Sequence, residues 1–171
     1  PDTRMGVEQV YMDYFTRAEE YQQQQSRWTM TDASLKTNAV PPRKDLELDA
    51  LSEILNSKRF ITCHSYVQSE INMLMHVADS FGFEVNTFTH ILEGFKVADK
   101  MKAHNVRGAS TFSDWWAYKY EVYDAIPYNA AILHKVGVNV GYNSDDAEMA
   151  RRLNQEAAKA VKYGGISEED A

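Results

Sequence analysis

Val7, Val10, Tyr11, Tyr14, Phe15 and Ala18 recur at helical spacing, which predicts a helix over residues 5–27. A polar stretch follows and is closed by Pro41 and Pro42, so it reads as an excursion or loop. Leu46, Leu48, Leu51, Ile54 and Leu55 then form one side of a short helix that "NSKR" ends. From residue 59 the rhythm changes. Short extended runs ("RFITCHSY", "FEVNTFTH", "VRGAS", "VNVGYNS") alternate with helical ones ("QSEINMLMHVADSFG", "EGFKVADKMKAHN", "IPYNAAILHKVG", "DDAEMARRLNQEAAKAVKYGG"). Gly82 and Gly137 stand just past two helix ends, and Pro127 stands near the first turn of another. Strand followed by helix, four times over, predicts a parallel sheet in an α/β fold. A doubly wound nucleotide domain and a β/α barrel both have that order. The first should carry a Gly-rich phosphate loop after a strand, and "RGAST" and "YGGIS" lack its spacing.

Composition narrows the function more than the fold. Of 171 residues, 44% are hydrophobic, enough for a packed core. The net charge of -7 argues against a nucleic-acid or anionic-membrane surface, both of which need clustered Lys and Arg. No apolar run approaches the roughly 20 residues of a membrane span. Cys63 is the one cysteine, which excludes an internal disulfide and a multi-cysteine zinc site and leans toward a reducing compartment. The localisation itself stays open. "PDTRMG" at one end and "GGISEEDA" at the other, where Ser167 and Asp170 begin a capping pattern, read as the ends of a fragment.

The four extended runs end in polar residues: His64 and Ser65, then His90, then Ser110 and Thr111, then Asn143, Ser144 and Asp145. In parallel α/β folds these ends share one edge, where chemistry is placed. Two neutral imidazoles and one carboxylate are a donor set for a divalent ion such as zinc. Spacing alone leaves a second reading open, in which the histidines are buried or capping side chains.

"ITCHSY", "NTFTHILEG" and the run from "ASTFSDWWAYKYEVYDAIPYN" to "EAAKAVKYGG" resemble the C-terminal half of the metal-dependent amidohydrolase superfamily, nearest its imidazolonepropionase-related, cyclic-imide and peptidase-like branch. The resemblance implies a partial TIM-like β/α barrel over residues 59–171, one incomplete catalytic domain of about four parallel strand-helix units. A helical insertion over residues 1–58 precedes it. It further implies that His64, His90 and Asp145 bind metal, most readily zinc, and that Asp145 is the catalytic general base. Asp146 is its rival by one position, but it reads as the first turn of a helix, where an acid suits the dipole. The substrate class implied is a cyclic amide, imide or peptide-like molecule with a C–N bond to hydrolyse. The chain departs from the family in lacking the His-x-His pair and the bridging lysine or glutamate. Half a barrel has open edges, so the chain is expected to be inactive alone, and to self-associate or pair with a missing N-terminal half. The alternative is a non-catalytic, self-associating half-barrel module.

Around these residues, Tyr66, Trp115, Trp116 and Tyr118 are candidates to line the substrate, or else to pack over the barrel mouth. Glu93 is a candidate to orient a ligand imidazole, or to bring charge to a helix start. Cys63 should point away from His64 as a small core residue. His76, His104 and His134 fall within or near the ends of helices and read as packing or surface residues.

Overall fold

The computed structural model of the chain describes residues 2–114 and 117–171. The chain forms two compact units, Pro1–Phe60 with Ser80–Phe83 and Ile61–Asp79 with Glu84–Ala171.

The first unit is helical. Helix α1 (Arg4–Met30) starts on Thr3, whose hydroxyl accepts the Gly6 N–H at 3.0 Å. Within the polar excursion the single turn α2 (Ala33–Lys36) forms, an element the hydrophobic pattern does not announce because it buries nothing. Helix α3 (Leu46–Leu55) is capped by Asp45, which accepts from Glu47 and Leu48 N–H. Ala18, Tyr21 and Leu48 make the buried seam between α1 and α3, flanked by Leu51 and Leu55. The Tyr21 hydroxyl donates to Asp49 at 2.7 Å, so the phenol is buried with its polar end satisfied. Phe15 stacks at 4.5 Å on Phe83 of the same unit.

The second unit is α/β. Four short strands, β1 (Thr62–His64), β2 (Thr87–Thr89), β3 (Gly108–Thr111) and β4 (Asn139–Tyr142), lie side by side in chain order, all parallel. Helices α4 (Gln68–Phe81), α5 (Ala98–Ala103), α6 (Asn129–Lys135) and α7 (Leu153–Gly164) connect and follow them. Parallel neighbours joined by helices are the strand-helix units of a partial β/α barrel. Gly82 and Gly137 take positive φ where the sequence places helix ends, and Gly165 does so at the end of α7.

The strands are shorter than the extended runs, and the backbone shows why. The Val85 N–H goes to the His104 ring at 3.1 Å, not to a neighbouring strand. The Ile61 N–H goes to the Asn86 side chain at 2.9 Å. The segments after β2 and β4 tighten into 3₁₀ turns, Gly94–Val97 and Met149–Arg152, before α5 and α7 begin.

Register sorts the side chains. His64 pairs with Thr89, Thr87 with Gly108, and Gly108 with Asn139. By alternation these positions share one face with Thr62, Ser110 and Gly141, and that face is polar or small. The other face carries Cys63, Phe88, Ala109 and Val140, of which Phe88 and Ala109 are buried. Cys63 is half-buried on edge strand β1, so it is not the core residue its position predicts. Ile71, Leu74 and Val77 of α4, Met101 of α5 and Leu133 of α6 fill the unit's core. The Ser167 hydroxyl accepts the Asp170 N–H at 3.1 Å, so the capping geometry read near the C-terminus is present, over a single turn. Among the described residues no helix is long and apolar enough to cross a membrane.

Candidate active site

Strand β2 ends at Thr89, and the next residue leaves the ladder. His90 adopts φ 67°, the left-handed region that a non-glycine residue enters at a cost. The register gives the reason. Thr89 pairs with His64, so simple alternation would send His90 to the opposite face. The left-handed turn brings its ring back beside His64, with ring centroids 4.7 Å apart, edge to face. His90 is buried, with the Phe112 ring edge-on at 5.8 Å and the Tyr66 ring stacked at 5.8 Å. His64, on the edge strand, is exposed.

Asp145 completes the group. Its Oδ1 lies 3.7 Å from His90 Nε2, and its Oδ2 accepts a short hydrogen bond from the Tyr66 hydroxyl. That bond, above all, holds the Asp145 carboxyl below the usual range. Burial, partly opposed by Asp145, pulls His90 below the ordinary histidine value. The site near neutrality therefore contains a neutral imidazole beside an ionised carboxylate. Burial and the Asp145 bond push the Tyr66 phenol up, so it stays a donor. Asp146 does different work: its Oδ1 accepts from Glu148 and Met149 N–H and caps the following turn.

Among the described residues no three His, Cys, Asp or Glu side chains already stand at metal-ligating spacing. The donor chemistry, two imidazoles and a carboxylate, still fits a divalent ion. The Asn143 amide nitrogen faces His90 Nδ1, while its Oδ1 is buried without a partner. Turned end for end, the amide would accept from Nδ1–H and leave the Nε2 lone pair toward Asp145, with its N–H₂ then in the partnerless position. That is the tautomer a metal-ligating histidine needs. His64, His90 and Asp145 could thus hold an ion with Asn143 orienting one imidazole.

The remaining candidates divide. Tyr66 stands in the site. Tyr118 is exposed beside Lys119, whose Nζ is 5.3 Å from its ring centre. Trp115 and Trp116 lie outside the described residues. Glu93 is buried, but its oxygens meet the Gln68 N–H at 2.9 Å and Lys96 Nζ at 3.2 Å. It caps the start of α4, and no imidazole is among these contacts. His104 bonds Asp79 at 2.7 Å through Nδ1 and the Val85 N–H through Nε2, which makes it a strut between segments. Sequence reasoning missed Lys119 and the buried Asn129, described below. The one available signal was that Lys119 is the only Lys or Arg between Thr111 and Tyr123.

The left-handed His90 sets a prediction. His90→Gly removes the Cβ strain and His90→Ala keeps it, so the glycine variant should be the more stable by about 1 kcal/mol, offset in part by its freer unfolded chain. Urea midpoints of the two check this, and equal midpoints would remove strain from the account.

No family model matches the chain, and no curated protein matches it significantly. Among solved structures, it is similar to the crystal structure of an amidohydrolase from Thermotoga maritima MSB8, with a TM-score of 0.80 and 24% identity. The match covers 99% of this chain and 43% of that one, so the chain spans less than half the length of the solved protein. At that identity the likeness establishes the fold, an α/β arrangement consistent with a partial barrel.

Proposed function

We propose that the chain is part of a metal-dependent amidohydrolase of the imidazolonepropionase-related branch. Its parent enzyme would hydrolyse a C–N bond in a cyclic amide, imide or peptide-like substrate. One observation carries this reading: His64, His90 and Asp145 meet at the C-terminal ends of parallel strands. Sharing a fold with an amidohydrolase is consistent with it and no more.

His64, His90 and Asp145 would hold a zinc-type ion. Such an ion, when bound, supplies a water acidic enough to attack a carbonyl near neutrality. Asp145 takes the proton of the attacking water on Oδ1 and delivers it to the leaving nitrogen. Tyr66 keeps hold of Oδ2, which fixes the carboxylate and keeps it ionised between turnovers. His90 remains neutral in its buried seat and is oriented by Asn143. The phenyl edge of Phe112 and the ring of Tyr66 exclude water from that imidazole.

Two features support a division of labour between this chain and further barrel strands. The outer edges of β1 and β4 carry no strand partner among the described residues, and His64 is open to solvent. We therefore propose that the chain pairs with the rest of a barrel or with a second copy, and that alone it is inactive. The absence of a ready three-ligand group among the described residues favours one second reading, a non-catalytic self-associating module.

Zinc content separates the two. After loading and dialysis, mass spectrometry should find close to one zinc per chain in the wild type and none in the His64→Ala, His90→Ala double variant. A wild type without zinc would leave the module reading standing. Hydrolysis by the isolated chain that vanishes in Asp145→Ala would overturn its proposed inactivity.

A further inference from the structure

Lys119 is the cation of this site. Its Nζ stands 4.1 Å from the ring centre of Tyr66, the same phenol that stacks on His90 and donates to Asp145. Two other lysines in the unit pair with carboxylates, Lys96 with Glu93 and Asp124 and Lys159 with Asp114 and Glu156, while Lys100, Lys102 and Lys135 donate to amide or carbonyl oxygens. Among the described residues no carboxylate pairs with Lys119. Burial draws its ammonium down, but the Tyr118 and Tyr66 hydroxyls outweigh that and hold it above the usual lysine range. The charge is therefore kept, half-buried, beside two phenols and within electrostatic reach of Asp145. An ammonium held by phenols and ring faces retains most of its attraction for an anion, and partial burial strengthens it.

We propose that Lys119 binds a carboxylate of the substrate and thereby selects an amide that bears one, such as an N-acyl amino acid or the C-terminal end of a peptide. The inference rests on the amidohydrolase reading, which supplies the amide. Geometry restricts the anion. Lys119 and His90 both contact the Tyr66 ring, whose hydroxyl bonds Asp145, so a carboxylate at Lys119 would lie near a carbonyl at the strand ends. A carboxylate on the carbon next to the scissile nitrogen fits that reach. One ammonium also matches a monoanion. Phosphate sites gather several donors, commonly backbone N–H groups or arginine forks.

The test uses two probes of one shape, N-acetylglycine and its neutral amide N-acetylglycinamide. Each is titrated into the metal-free and the zinc-loaded chain by heteronuclear NMR. The wild type should prefer the carboxylate by about tenfold or more, the effect of one charge-assisted hydrogen bond. Lys119→Met should abolish that preference and leave the amide's affinity unchanged, and Lys119→Arg should restore most of it. A preference that survives in Lys119→Met would overturn the proposal, because the carboxylate would then be held by zinc or elsewhere. Equal loss of both probes in Lys119→Met would also overturn it, since a loop clasp would explain that. So would a wild type that shows no preference. A chain that takes up zinc but shows no preference rejects Lys119 alone. A chain that takes up no zinc yet shows the Lys119-dependent preference rejects the hydrolase and keeps a carboxylate site.

Discussion

Asn129→Ala is expected to cost the α/β unit about 3 kcal/mol, one of the two largest effects of any single substitution foreseen here. Asn129 is 2% exposed and uses its whole amide. Its Oδ1 accepts the Phe95 N–H at 2.8 Å, and its Nδ2 donates to the Ile91 carbonyl at 2.7 Å and to the Thr111 hydroxyl at 2.8 Å. One side chain at the start of α6 thus ties the turn after β2 to the end of β3. The Ile91 carbonyl keeps a second donor, the Gly94 N–H, so its loss is small. Phe95 N–H has no such reserve, and a buried orphan donor costs about 1–3 kcal/mol before the cavity is added. Asn129→Asp discriminates further. Its carboxylate satisfies Phe95 but sets a second oxygen against the Ile91 carbonyl, which raises the folded-state pKa of the new acid. A raised folded pKa gives stability that is present at low pH and lost as pH rises through that value. The Asp variant should therefore be rescued by acid, and the Ala variant should not. Urea midpoints at acid and neutral pH read both. An Ala variant within about 1 kcal/mol of wild type would show that water replaces the amide.

Glu156→Ala should cost a comparable amount, about 3 kcal/mol, or a fall in Tm of roughly 10 °C. Glu156 sits on α7, 4% exposed. Its Oε2 accepts the Ser113 N–H at 2.9 Å, and its Oε1 accepts the Asp114 N–H at 3.1 Å and faces Lys159 Nζ at 2.8 Å. Lys159 pairs with Asp114 as well. Removing the carboxylate strands two backbone donors and leaves the half-buried Lys159 ammonium with Asp114 alone, and breaking such a network costs more than a single contact. Glu156→Gln keeps the volume but turns an N–H₂ group toward a backbone N–H, so it should recover less than half of the loss. Ser113 and Asp114 open the segment that carries Lys119, so the alanine variant should also weaken N-acetylglycine binding. Unchanged thermal stability in Glu156→Ala would mean that solvent satisfies both amides.

These two hubs were invisible in the sequence, and the reason is physical. A buried Asn or Glu reads as polar, and hydrophobic periodicity assigns polar residues to the surface. Only partners from elsewhere in the chain, 38 residues away for Ile91 and 43 for Ser113, make such burial stable. Tyr66 is a similar case. Its place beside His64 was plain, but its bond to Asp145 spans 79 residues.

What the sequence determined by itself is local. Apolar spacing at period 3.6 marked α1, α3 and α4. Gly82 and Gly137 marked where α4 and α6 stop, and strand-helix alternation implied a parallel sheet with its polar strand ends on one edge. These follow from torsional preference and burial within a few residues, which a one-dimensional string records. The tertiary structure decided everything that depends on which strand lies beside which, and in what register. It turned His90 left-handed, against the alternation its own strand predicts, and set it beside His64. It placed Asp145 under the Tyr66 hydroxyl and Lys119 over the Tyr66 ring. A strand records only which side each residue faces, so the identity of the neighbour across the sheet arises when the sheet forms.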